Sequence, residues 1–156
     1  MNRLILKKIT QNTRIYHKYF IEKKIESGIA LLGWEVKSAR FNRVAIDNCY
    51  VSVCNAEAYV YNAVFQSNKI QYDNGIYNTI RVRKLLLKKH EILFLMEKVA
   101  QQGYTVVVLD LYWKNSWIKL TIGIAKGKKQ HDKRNAIIMQ DWNREKMRIM
   151  KYKYVK

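Results

Sequence analysis

Residues 104–125 read YTVVVLDLYW, then KNS, then WIKLTIGIA. β-Branched and aromatic side chains fill both halves, and the short polar break at Lys114-Asn115-Ser116 is long enough only for a hairpin turn. Tyr104–Trp113 and Trp117–Ala125 are therefore two long antiparallel strands, with Val106, Val107, Val108, Leu109 and Leu111 as core. Upstream, RVRKLLLKKHEILFLMEKVAQQ (Arg81–Gln102) predicts a helix. Val82, Leu85, Leu86, Ile92, Leu93, Leu95, Met96 and Val99 form its apolar stripe, and Gly103 follows as a C-cap. Arg81, Arg83, Lys84, Lys88 and Lys89 crowd its first half, where cations oppose the helix dipole, so helix stability is not the reason for them.

Further toward the N-terminus, YVSVC (50–54) and EAYVYNAVF (57–65) alternate with a period of two around Asn55-Ala56, a hairpin whose second turn position favours Gly. Residues 66–79, with an Asn74-Gly75 turn, read as a mobile loop. Gly33–Arg40 is a short helix, and Tyr16–Leu32 is strand-like with a bend or bulge at Gly28. Residues 1–14 are basic and irregular and read as an arm. The fold class is thus mainly β with flanking helices. A five- or six-stranded antiparallel barrel buries these strands without open edges, an open α+β sheet being the alternative.

The chain divides at Lys126, into a folded domain of residues 1–125 and a tail of 126–156. The tail holds eight Lys and three Arg against three acids, about three times the charge density of the rest. Ile138, Trp142 and Ile149 lie on one side of it at helical spacing, too little apolar surface to fold alone, so the tail is expected to be disordered when free and helical when bound. The whole chain, 156 residues with 30 Lys+Arg against 12 Asp+Glu, has a formal charge of +18, which a polyanion would neutralise with release of counterions. No run approaches the roughly 20 apolar residues of a membrane span. No secretion signal is evident, and Cys49 and Cys54 make neither a zinc site nor a disulfide framework, so a cytoplasmic protein is expected.

Enzymatic motifs are missing. No phosphate-binding glycine loop, dinucleotide fingerprint or H-E-x-x-H occurs, and the acids are too scattered to chelate a metal. No cofactor is expected. His131-Asp132 are adjacent residues in the tail and do not form an acid–base pair. Charge and aromatic rings do coincide, which suits phosphates and bases. Lys114, Lys119, Lys126, Lys128, Lys129, Lys133 and Arg134 gather on the last hairpin and its exit. Tyr59, Tyr61, Trp113 and Trp117 fit a core better than a stacking platform. Glu26 has two readings, an internal ion pair or an acceptor for base edges.

Three blocks are more specific. The first runs from Asn12 through Arg14, His17, Tyr19, Glu22 and Glu26 to G-W-E-V-K-S at 33–38. The second is R-x-R-K-L-L-L at 81–87. The third joins L-Y-W-K-N at 111–115 to A-K-G-K-K-x-H-D-K-R at 125–134. In identity, order and spacing they resemble the small protein B family, the tmRNA-binding proteins of bacterial trans-translation, over essentially the whole chain. The resemblance implies an oligonucleotide/oligosaccharide-binding (OB-like) barrel and a non-catalytic adaptor. Its partners would be the tRNA-like domain of tmRNA and the small-subunit decoding centre of stalled ribosomes. Elongation factor Tu and alanyl-tRNA synthetase would be engaged only through tmRNA, and a monomer is expected. The tmRNA-contact positions carry over as Asn12, Tyr19, Glu26, Arg40, Leu86 and Lys119, with helix packing an equal reading of Leu86. Lys126, Lys128, Lys129, His131, Asp132, Lys133 and Arg134 correspond to the decoding-centre segment, and Ile149-Met150 to the mRNA channel. Asn78-Thr79-Ile80 stands where the family often has Asp-Pro, Asn55-Ala56 where Asn-Gly is frequent, and Ser116 where Gly or another small residue is common.

Overall fold

Val106–Leu109 is an unbroken apolar run because both faces of its strand are covered. Val106 and Val108 enter the main core, whereas Val107 and Leu109 pack with Ile15 and Ala125 in a second, smaller cluster. The computed structural model describes residues 6–66 and 78–153, the side chains of 133, 135–137, 140 and 151–153 lying outside that description. Its strands are β1 (Leu6–Gln11), β2 (Tyr19–Ile29), β3 (Val44–Ala45), β4 (Tyr50–Cys54), β5 (Glu57–Tyr61), β6 (Val64–Phe65), β7 (Arg83–Leu86), β8 (Tyr104–Lys114) and β9 (Trp117–Gly127). The helices are α1 (Ile15–Lys18), α2 (Gly33–Arg40), α3 (Lys89–Ala100) and α4 (Gln130–Lys153).

Every strand pairing is antiparallel, and the hydrogen-bonded neighbours close a ring, β8-β4-β5-β7-β2-β9 and back to β8. β1 extends the ring at β8: β4 pairs with Val106 and Val107, and β1 with Asp110–Lys114. Register shifts between Ile21 and Lys23 and between Val108 and Asp110 bend β2 and β8, two of the three longest strands. The second shift returns Leu111 to the interior, where it is fully buried. β3 and β6 form a separate two-stranded pair.

The long hairpin closes at Lys114↔Trp117, with Asn115 at φ 54°. The β4–β5 hairpin has both turn residues left-handed, Asn55 at φ 51° and Ala56 at φ 56°, as its two-residue turn requires. Buried Cys49, whose thiol burial pushes up to about 12, and exposed Cys54 are both free.

Three expectations need correction. Leu6–Gln11 is not an irregular arm but a paired strand; residues 1–5 lie outside the described ones. Arg81–Gln102 is not one helix. Arg83–Leu86 is a strand alternating buried and exposed, and the helix begins only at Lys89, with the Glu91 carboxylate accepting the Lys88 N–H at 2.8 Å. The cations that seemed to oppose a helix dipole mostly precede the helix. Gly28 is no bulge: it stays in register with Leu86 and Lys119, and a Cβ there would come within 3.1 Å of the Leu86 Cβ. The Asn74-Gly75 turn and most of the 66–79 loop lie outside the described residues. The tail from Gln130 to Lys153 is one helix.

Two of the sequence blocks meet in the interior. Glu35 of α2 is fully buried; its carboxylate accepts from Arg81, from Arg83 Nε at 2.8 Å and from the Leu32 N–H at 2.7 Å. Arg83, also fully buried, donates further to the carbonyls of Ala63 (2.7 Å), Arg81 (2.7 Å) and Thr79 (3.1 Å). Its guanidinium lies 4.3 Å from the centre of the Phe65 ring. Ser38 is also buried, its hydroxyl 3.0 Å from the Arg43 carbonyl and 2.7 Å from that of Gln66. Burial pulls the Glu35 carboxyl upward, but the Arg81 hydrogen bonds, the Leu32 N–H and the Arg83 charge outweigh it and hold it below 4.5.

Glu35→Gln should lower stability by about 3–5 kcal/mol in urea titration, because it strands a buried guanidinium. A depressed carboxylate stabilises above its unfolded value, so this contribution should fade as pH falls below 4.5. The substituted protein should lack that part of the acid dependence. Ala56→Gly, relieving a left-handed alanine, should raise stability by about 1 kcal/mol in the same assay.

Candidate nucleic-acid interface

Strand alternation sends Ile25 and Ser27 of β2 inward and Lys24 and Glu26 outward. Glu26 therefore meets the outward residues of β8 and β9. Its carboxylate accepts from the Tyr112 hydroxyl at 2.6 Å and the Lys114 ammonium at 2.9 Å, with Lys119 at 3.9 Å. The Tyr112 and Lys114 hydrogen bonds hold this carboxyl below its ordinary value. Of its two readings the structure shows the ion pair.

Lysines also sit on rings. Lys23 lies 4.3 Å from the Phe94 ring centre, Lys128 4.6 Å from Phe20, Lys24 5.6 Å from Tyr16, and Lys98 and Lys126 5.1 and 5.6 Å from Tyr104. With so few carboxylates, ring faces hold the ammonium groups in place. The tyrosines of β4 and β5 are otherwise used: Tyr61 stacks on Tyr50 at 5.2 Å, and the Tyr59 hydroxyl donates to Glu57 at 2.6 Å. Trp113 is half-buried against the core, as expected, but Trp117 is 74% exposed.

The six residues carried over as RNA contacts fall into three places. Glu26, Leu86 and Lys119 line one cleft of about 710 Å³ between β2, β9 and the β7–α3 junction. Leu86 is an exposed strand residue there, not helix packing. Lys23, Lys88, His90 and Phe94 line the same cleft. His90 carried no sequence signal, because the helical reading hid the junction that presents it. Asn12 and Tyr19 line a second cavity of about 270 Å³ with Lys18, Asp47 and Tyr50. Asn12 has no exposed surface; its Nδ2 donates to the carbonyls of Ile46 (3.3 Å) and Asp47 (3.0 Å), so it shapes the loop before β4. Arg40 lines a third cavity with Lys7 and Trp113.

The tail residues divide as well. Lys126 is still part of β9, paired with Phe20, and the Lys128 N–H donates to the Lys18 carbonyl at 3.0 Å. Lys129 and Arg134 are exposed, as is His131, which does make an interaction. Asp132 accepts the Lys129 N–H at 3.2 Å and so helps start α4. The Lys133 side chain lies outside the described ones. Ile149 and Met150 are exposed about 27 Å farther along the helix from His131. Among the described residues, no helix is long and apolar enough to cross a membrane, and no group of three His, Cys, Asp or Glu side chains could hold a metal ion.

Fold and surface together define a class: a strongly basic, mainly antiparallel β protein with flanking helices and a cationic helix after its last strand. The family described as "SmpB protein" matches residues 9–152. The chain belongs to this family. It is similar at 34% identity and a TM-score of 0.65 to a solved structure described as "tmRNA-SmpB: a journey to the center of the bacterial ribosome", covering 82% of this chain and 93% of that one.

The Glu26 contact and its own partial burial give Tyr112 a recognisable titration. Burial, with the Glu26 hydrogen bond acting the same way, pushes its hydroxyl up to about 12. Ultraviolet titration should show a tyrosine ionising near that value. Tyr112→Phe should remove it, and Glu26→Gln should move it down.

Proposed function

We propose that this chain is the tmRNA-binding adaptor of trans-translation. It binds the tRNA-like domain of tmRNA and brings alanyl-tmRNA to stalled ribosomes, so that the nascent chain is tagged and the ribosome released. Family membership and likeness to the tmRNA-SmpB structure support this reading. The observation that carries it on this chain is the separation of two cationic surfaces. One is the Glu26–Leu86–Lys119 cleft on the closed sheet, and the other is the exposed face of α4. The cleft offers lysines for phosphates, an apolar floor at Leu86, and carboxylate oxygens with spare lone pairs for base donors.

The closed antiparallel ring is of the OB type, and residues 1–125 form the tmRNA-binding domain. Residues 126–156 serve the decoding centre and mRNA channel, with Lys126, Lys128, Lys129, His131, Asp132, Lys133 and Arg134 at the first and Ile149-Met150 in the second. His131 stacks on a decoding-site base where codon–anticodon contacts are missing. The tail is disordered until it binds, because its charge and sparse apolar residues favour the solvated chain. The protein is a cytoplasmic monomer without a catalytic role, linked to elongation factor Tu and alanyl-tRNA synthetase only through tmRNA.

A chain ending at Lys129 keeps the whole of β9 and should bind a tRNA-like tmRNA fragment within about twofold of the full chain while losing peptide tagging of stalled ribosomes. Lys119→Ala should weaken fragment binding several-fold and leave thermal stability nearly unchanged. Equal loss of binding and tagging on truncation, or no preference for the fragment over unstructured RNA of the same length, would favour a general RNA binder instead.

A further inference from the structure

The cavity at the tip of the long hairpin differs from its neighbours in charge. The Glu26 cleft and the cavities beside Asp47 and Asp110 all contain carboxylates. This one, of about 430 Å³, is lined by Lys7, Arg40, Trp113, Asn115 and Ser116, two cations and no acid. Among the described residues neither Lys7 nor Arg40 has an ion-pair partner. Its size falls within the roughly 300–1,000 Å³ of small-ligand sites.

Register explains the assembly. Lys7 stands directly opposite Trp113, so both project from one face of the β1–β8 ribbon, and Arg40 reaches that face from the end of α2. Lys8 stands opposite Tyr112 and lies on the other face, in the cavity that also contains Glu26. The Lys7–Arg40 pocket therefore opens away from the Glu26 side. Trp113 packs against the core on one side and lines the pocket on the other, which fixes the indole at little entropic cost.

We propose that this pocket seats one unpaired nucleotide of the bound RNA, its base against Trp113 and its phosphate between Lys7 and Arg40. Asn115, held in the left-handed region at the turn, offers an amide that both donates and accepts at a base edge. A free anion would satisfy the cations but leave the indole unused; a nucleotide uses all of these groups. The proposal deepens the RNA-binding reading and rests on it, adding Lys7, Trp113 and Asn115 to the contact surface.

The test measures the full chain against two probes, a tRNA-like tmRNA fragment and a uridine tetranucleotide carrying 4-thiouridine for photocrosslinking. Lys7→Ala and Arg40→Ala should each weaken tetranucleotide binding several-fold and reduce the salt slope by about 0.7. Trp113→Leu, which keeps an apolar side chain against the core, should weaken it about tenfold through lost stacking. The wild-type crosslink should map to Trp113 or Asn115. If Trp113→Leu fails to fold, the two exposed cations decide the matter alone. Lys84→Ala, removing a lysine already paired with Glu57, is the control and should change nothing. Unchanged tetranucleotide binding in Lys7→Ala and Arg40→Ala, inorganic phosphate competing as well as the oligonucleotide, or a crosslink confined to the Lys119 cleft would overturn the proposal. A wild-type chain that does not prefer the tRNA-like fragment refutes the adaptor reading instead, and the tetranucleotide series still decides the pocket.

Discussion

A fully buried guanidinium must find its counter-charge, and Arg83 finds it in Glu35. The cost of removing both from water is met because their polar atoms are used: the carboxylate takes two arginines and a backbone N–H, and Arg83 also takes three carbonyls. This arrangement ties α2 to the loops flanking β6 and β7. It also fixes a register, since a one-residue slip of β7 would turn Arg83 to water and Leu86 to the core. With Arg83 inward, Leu86 must face out opposite Gly28, where a larger residue would meet its Cβ. The floor of the Glu26–Lys119 cleft is thus set from inside the protein.

The same interaction explains what could be read from sequence. G-W-E-V-K-S and R-x-R-K-L-L-L stood out as separate blocks, and the structure joins them: Glu35, Ser38 and Arg83 are buried structural residues rather than contacts. The long hairpin, the β4–β5 hairpin and α2 were legible because period and turn chemistry are local. β7 was not legible. Leu85-Leu86-Leu87 continues into a true helix with matching spacing, and only pairing with β2 and β5 makes it a strand. β1 was missed for a similar reason, since its single buried residue, Ile9, gives no alternation to read. The candidate contact residues came from the resemblance alone, and their grouping into three cavities depends on register, which the sequence does not display.

Carboxylates are scarce enough on this surface to be assigned individually. Glu22 takes Lys98, Glu57 takes Lys84, and Glu26 takes Lys114 with Lys119 near it. Lys23, Lys24, Lys126 and Lys128 rest instead on aromatic rings, which orient an ammonium without neutralising it. A phosphate approaching such a lysine breaks no ion pair, so electrostatic attraction is retained in binding. The rings of Tyr16, Phe20, Phe94 and Tyr104, which the sequence did not single out, thus hold positive charge ready at the surface.

The tail follows from the same charge balance. Ile138, Trp142 and Ile149 fall within an arc of about 40° on α4, and all three are exposed. An apolar stripe normally finds a core, and the nearest one belongs to a domain that is itself strongly cationic. A segment with eleven basic residues against three acids is repelled by that domain at short range. Lys128 fastens only the base of the helix, to the carbonyls of Tyr16 and Lys18. A partner able to cover the stripe must offer apolar contact and dense negative charge together. A groove walled by RNA supplies both through base faces and phosphates, whereas the surface near α1 offers exposed rings, Tyr16 and Phe20, beside Lys18, Lys24 and Lys128 and so lacks the negative charge.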